Sequence, residues 1–211
     1  MLKQIILTAF ISLSTITVSQ CATQETSNNS HQQDTKSLVV YFSAQNHTKD
    51  IAEKIVELIG ADIFRIEPAT PYAANPYDDA VKIREEAYNG QRPAVKQLID
   101  KEQMAKYDTI YIGTPVWWHQ PAMVVLTFLE SYDLTGKTVI PFVTYGESVW
   151  LNEVMQKIYQ STPDSKHLPT VLPEDIDPDD FINRQNDDEG ISMPERPEQV
   201  AGWLKEIGVI Q

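Results

Sequence analysis

The run Leu38-Val39-Val40-Tyr41-Phe42 stops abruptly in Ser43-Ala44-Gln45-Asn46-His47-Thr48, and no other stretch constrains the fold as much. The apolar, β-branched half predicts a buried strand from Leu38 to Ser43. Beyond the polar half, Ile51, Ile55, Leu58 and Ile59 fall on one face of a helix predicted over Thr48 to Ile59, with Gly60 as its stop. Strand, hydroxyl-rich loop and helix is an arrangement with which α/β proteins hold phosphate. Loop N–H groups and hydroxyls converge on the anion at the positive end of the helix dipole. The expectation is a phosphorylated ligand at the carboxyl edge of a parallel sheet. Taken alone, the same segment also reads as an ordinary strand-to-helix turn capped by Thr48.

The alternation continues along the chain. Strands are predicted over Ile63 to Glu67, Thr109 to Gly113, Thr138 to Thr144 and, at an edge because of Pro169, His167 to Leu172. Helices are predicted over Tyr77 to Asn89, Pro121 to Ser131, Val149 to Tyr159 and Pro197 to Ile207. Five strands alternating with five helices give an α/β, three-layer, doubly wound parallel sheet with right-handed crossovers. The segment from Pro173 to Glu195 is acidic and lacks periodicity, so it reads as a functional loop or flap.

The N-terminus stands apart from this pattern. Lys3 is the only charge before the apolar stretch Ile5 to Val18, which is too short to span a bilayer and matches a signal-peptide core. Cys21 is the only cysteine, so no internal disulfide forms. Val18-Ser19-Gln20-Cys21 resembles a bacterial lipoprotein cleavage box, which implies acylation of Cys21 and a membrane-anchored, periplasmic or cell-surface protein. Ordinary secretion with a bystander thiol is the other reading. Residues 22–36 hold almost nothing apolar and read as a flexible tether, leaving 37–211 as the folded domain. A formal net charge of −13 over 211 residues argues against nucleic acid as a partner and suits basic protein surfaces.

Three loops leave the carboxyl ends of the first, third and fourth strands, and a doubly wound sheet brings them to one edge. The first is Ser43 to Thr48. The second is Thr114-Pro115-Val116-Trp117-Trp118-His119-Gln120-Pro121, where two adjacent indoles cannot both enter a core. A planar ligand on one of them accounts for the pair. The third, Thr144-Tyr145-Gly146-Glu147-Ser148, adds an aromatic ring and a glycine that permits close approach. Phosphate at one end and an aromatic ring at the other describe a mononucleotide, and flavin mononucleotide (FMN) fits best. One of the two tryptophans is expected to be structural, and Tyr145 also reads as a plain packing residue.

Leu38 to Thr48 resembles the flavodoxin signature, a strand ending in a Ser-x-Thr-Gly-Asn-Thr phosphate loop. Tyr107 to Trp118, Thr127-Phe128-Leu129-Glu130 and Gly136 to Phe142 are similar to further blocks of bacterial flavodoxin-like proteins. The resemblance covers Ser37 to Gly208 and implies sheet order 2-1-3-4-5 with non-covalent FMN between the second and third loops. It places Ser43, Ala44, Gln45, Asn46, His47 and Thr48 at the phosphate. Pro115, Val116, Trp117, Trp118, Thr144, Tyr145, Gly146 and Glu147 fall at the ring. Asn46 stands where glycine is usual, a replacement that the left-handed region tolerates in Asn.

The function expected is electron transfer or oxidoreduction by a bound flavin, with no catalytic acid or base and no metal. Glu147 near the ring is expected to lower the second flavin potential. Two alternatives stand beside it. One is an NAD(P)H-dependent reductase of quinones or other small molecules, with the Tyr72-to-Tyr77 loop walling a substrate cavity. The other is a flavin-free binding module on the same fold. Partners are accordingly basic redox proteins or a small-molecule electron acceptor.

Overall fold

The computed structural model describes residues 36–146, 150–168 and 193–211. Strand β1 (Ser37–Tyr41) leads into helix α1 (His47–Ile59), and β2 (Asp62–Arg65) follows the left-handed cap Gly60. A 3-10 turn (Pro76–Asp79) opens α2 (Ala80–Tyr88), and a single helical turn, α3 (Lys101–Met104), precedes β3 (Thr109–Trp117). Next come β4 (Gln120–Pro121), α4 (Met123–Leu129), β5 (Thr138–Thr144), α5 (Leu151–Gln160) and β6 (Lys166–His167). A 3-10 turn (Pro197–Gln199) and α6 (Val200–Glu206) finish the described chain.

The main sheet is parallel, in the order β2-β1-β3-β5-β6, and β4 only folds back antiparallel on β3. With the two-residue β4 set aside, this is the expected order 2-1-3-4-5. Alternation along β1 divides the core. Leu38, Val40 and Phe42 pack on one face with α4 and α5, while Val39 and Tyr41 pack on the other with α1 and α6. The register places Val40 beside both Phe64 and Ile112, so the apolar centres of three strands coincide. All of Val39, Val40, Ile55 and Ile112 are fully buried.

One departure from the sequence expectation has a plain cause, and one expected feature that looks costly is accommodated. Strand β3 does not end at Thr114-Pro115; it runs on to Trp117, because β4 supplies a new antiparallel partner where Pro115 would otherwise break the edge. Pro141 sits inside β5, opposite Ile112. Lys137 and Val139 turn their backbone groups toward β6, so Pro141 faces that side too, at a level where β6 has ended at His167 among the described residues. A proline there costs no ladder hydrogen bond. The expected end of the last strand, Pro169 to Leu172, lies outside the described residues.

Candidate functional site

At the end of β1 the chain turns through residues whose exposure alternates sharply. Ser43 and Thr48 are buried, Ala44 is half-buried, and Gln45, Asn46 and His47 are exposed. The turn is made by Asn46, which adopts φ 70°, the left-handed region where a β-branched residue would be strained. Asn46 is the N-cap of α1, yet no side chain caps this end. The first-turn N–H groups, which have no intrahelical acceptor, are therefore left for something else. Thr48 is not the cap. Its Oγ1 lies 2.8 Å from Thr144 Oγ1 and ties this turn to the end of β5. Arg65 on β2 donates from Nη2 to the Ser43 carbonyl at 3.1 Å and steadies the start of the turn.

The second loop is a hairpin. Thr114, fully buried, accepts from the Ala122 N–H at 2.9 Å and donates to the Pro115 carbonyl at 3.0 Å, which pins its base. The two-residue tip, Trp118-His119, has φ of 51° and 63°. Asn-Gly is the usual pair for such a turn, and left-handed non-glycine residues cost about 1–3 kcal/mol each. Aromatic contacts on both sides of the tip offset that strain. His119 stacks on Trp150, with centroids 3.6 Å apart and planes 17° from parallel. Trp118 meets the Tyr88 ring at 6.1 Å and lies under the Arg84 guanidinium at 5.9 Å. Trp117 is half-buried, edge-on to Phe42 at 5.2 Å and to Tyr72 at 5.0 Å. So one indole is braced in the wall and its neighbour, Trp118, stays 40% exposed.

Tyr72 is itself fastened, donating to Glu86 Oε2 at 2.6 Å with Lys82 over its ring. Burial first, and then the Glu86 carboxylate, push its phenol far above the ordinary range. In the third loop Tyr145 donates to Glu195 Oε1 at 3.3 Å. Burial and then Glu195 raise the Tyr145 phenol to about 12. Glu147 and Ser148, expected here, lie outside the described residues, as does Cys21.

These elements enclose a cleft of about 620 Å³. Of the residues expected from sequence, Gln45, His47, Pro115, Val116, Trp117, Trp118, Thr144, Tyr145 and Gly146 line it. Ser43, Ala44, Asn46 and Thr48 shape the turn without lining the cleft. Pro76 and Tyr77, at the end of the loop expected to wall a cavity, do line it. Ala80, Ile83, His119, Trp150 and Glu195 are further lining residues that sequence reasoning did not place there. Asn75-Pro76 marks the start of the helix that carries Ala80 and Ile83, but nothing in its pattern points that face at the cleft. Among the described residues no Lys or Arg lines the cleft.

The site thus offers hydroxyls, an amide and unclaimed N–H groups at one end and aromatic surface at the other. A ligand with an anionic tail and a planar head fits both. No curated protein matches this chain. Solved structures do. A candidate flavoprotein from Bacteroides eggerthii is 28% identical with a TM-score of 0.61, over 84% of this chain and 100% of that one. A candidate flavoprotein from Bacteroides uniformis is 32% identical with a TM-score of 0.56, over 71% of this chain and 98% of that one. A Lactobacillus acidophilus flavoprotein, solved in complex with FMN, shares the fold at 23% identity and a TM-score of 0.53, over 64% of this chain and 90% of that one. A family model described as Flavodoxin matches residues 36–183, and the chain belongs to the flavodoxin family.

Proposed function

We propose that the cleft holds FMN non-covalently and that the protein works in electron transfer or oxidoreduction. One observation carries the reading. The paired indoles at the end of β3, one braced and one 40% exposed, open on the same cleft as Gln45 and His47 from the uncapped start of α1. Family membership and the FMN complex of the Lactobacillus acidophilus flavoprotein support the choice of ligand.

When bound, the flavin supplies the one- and two-electron chemistry. The chain's own residues hold and shield it. First-turn N–H groups of α1 would receive the phosphate, backed by the buried Ser43 and Thr48 hydroxyls that shape the turn, and the Gln45 amide and His47 ring would add donors beside it. Trp117, Trp118 and Tyr145 would flank the ring, and Pro115 and Val116 would exclude water along its edge. The net charge of −13 disfavours added negative charge on the ring.

Titration of the purified protein with FMN tests this. Quenching of tryptophan fluorescence to an endpoint near one flavin per chain is the expected result. A colourless protein whose fluorescence is unmoved by FMN overturns the reading and leaves the flavin-free binding module. We propose also that Cys21 is acylated, on the strength of the segment before it. Palmitate label that persists in Cys21→Ser overturns that assignment.

A further inference from the structure

The cleft has more wall than one ligand at the sheet edge requires. The loops after β1, β3 and β5 account for a phosphate and a ring. On the side formed by Tyr77, Ile83, His119 and Trp150, only His119 shares a loop with residues assigned to that ligand; Tyr77, Ile83 and Trp150 come from elements that neither end of it calls on. Its aromatic groups are conspicuously unspent. Tyr77 is 82% exposed. The His119 ring rests on Trp150, and its nitrogens have no hydrogen-bond partner among the described residues. The tip that presents His119 is held at two consecutive left-handed residues and braced on both flanks, so the ring is fixed before any ligand arrives.

Charge narrows what fits. The described lining includes Glu195 and no Lys or Arg, on a chain of net charge −13. A dinucleotide with its phosphates finds no counter-charge among these described residues, whereas a neutral ring meets aromatic faces, the Ile83 side chain and one imidazole.

We propose that this side of the cleft binds a second, planar aromatic molecule without net negative charge, such as a quinone. It is seated against Tyr77 and the His119–Trp150 stack, with a His119 ring N–H donating to its carbonyl oxygen. The proposal rests on the flavin reading of the same cleft and gives the electron acceptor a chemical class. It makes His119 a positioning residue whose contribution is binding, separable from any turnover.

Calorimetry on oxidised, FMN-saturated protein tests it, using menadione as the neutral probe and a sulfonated naphthoquinone as the anionic one, with no reductant present. Menadione is expected to bind more tightly than the sulfonate. His119→Gly keeps the turn but removes both stack and donor, and weakens menadione about three- to tenfold. His119→Asn, which tolerates positive φ and keeps a donor, recovers part of that loss. Tyr77→Ala, at a side chain that is almost wholly exposed, also weakens menadione and does not depend on refolding of a core. Each variant is titrated with FMN first, and menadione affinity falls several-fold more than FMN affinity. Failure of the native protein to take up FMN overturns the flavin reading and this proposal with it. Normal FMN uptake with no menadione binding, or with equal binding across the variants, overturns this proposal alone.

Discussion

Asn46 and Gly113 are single backbone positions on which the site's frame depends, each for a different reason. Asn46 holds a left-handed φ of 70° with no side-chain cap bond, so its value lies in its conformational tolerance. Asn46→Ala is expected to lose about 1–2 kcal/mol, the cost of the left-handed region for an ordinary residue, while Asn46→Gly changes little. Urea denaturation measures both, and equal stability of the three chains counts against the argument. FMN affinity should fall in the alanine variant as well, since the turn's N–H groups reorient. Gly113 is under a steric constraint: a Cβ there collides with the Phe142 ring on the neighbouring strand. Gly113→Ala is expected to cost about 1–3 kcal/mol by overpacking, read in the same denaturation experiment. The role of Asn46 in the turn was legible from residue type, because Asn is the common stand-in for glycine at positive φ. The role of Gly113 was not, because a glycine inside a strand does not name the ring that fills its space.

Among the elements, β3 shows best what sequence pattern does and does not convey. Its apolar core from Ile110 to Ile112 is plain, as are β1 and β5, because strands buried on both faces read as unbroken apolar runs. The hairpin at its end was hidden. Pro115 and Pro121 look like strand breakers, and Trp118-His119 carries none of the usual turn chemistry, so only the ring contacts of the folded state explain it. Likewise α2 reads as a charged surface helix, and its contribution to the cleft through Ala80 and Ile83 depends on where the preceding loop delivers it. Tyr111, on β3, gives this element a measurable signature. It is 2% exposed, and burial alone raises its phenol to about 12. Below about pH 10 both folded and unfolded chains keep the proton, and the stability is fully present. Between about pH 10 and 12 the unfolded chain ionises while the folded one does not, so stability falls as pH rises, by ~1.4 kcal/mol per unit per tyrosine. The urea midpoint is expected to drop between pH 9 and pH 11, with Tyr111→Phe showing a shallower drop. A midpoint independent of pH in the native chain, or an identical slope in the variant, removes Tyr111 as the cause.

At the scale of the whole molecule, three layers leave one rim of the sheet open. The sheet is covered on one side by α1 and α6 and on the other by α4 and α5, and among the described residues the cleft opens where the loops after β1, β3 and β5 diverge. The net charge of −13 acts over the whole surface and does not distinguish the cleft, but it does distinguish partners. A basic redox protein would be drawn in by that field, and its association would slow as added salt shortens the Debye length from about 30 Å at 0.01 M toward about 8 Å at 0.15 M. A neutral quinone feels no net steering and reaches the cleft at a rate that salt leaves alone. Stopped-flow oxidation of the reduced, FMN-loaded protein therefore separates the two kinds of acceptor. With a basic protein as acceptor, the second-order rate should fall steeply between low and physiological ionic strength. With menadione it should stay flat, and His119→Gly should slow it while leaving the protein-to-protein rate, set by encounter at the outer surface, much less affected. A menadione rate that falls with salt as steeply as the protein's would show that the acidic surface, and not the aromatic wall, governs access to the flavin.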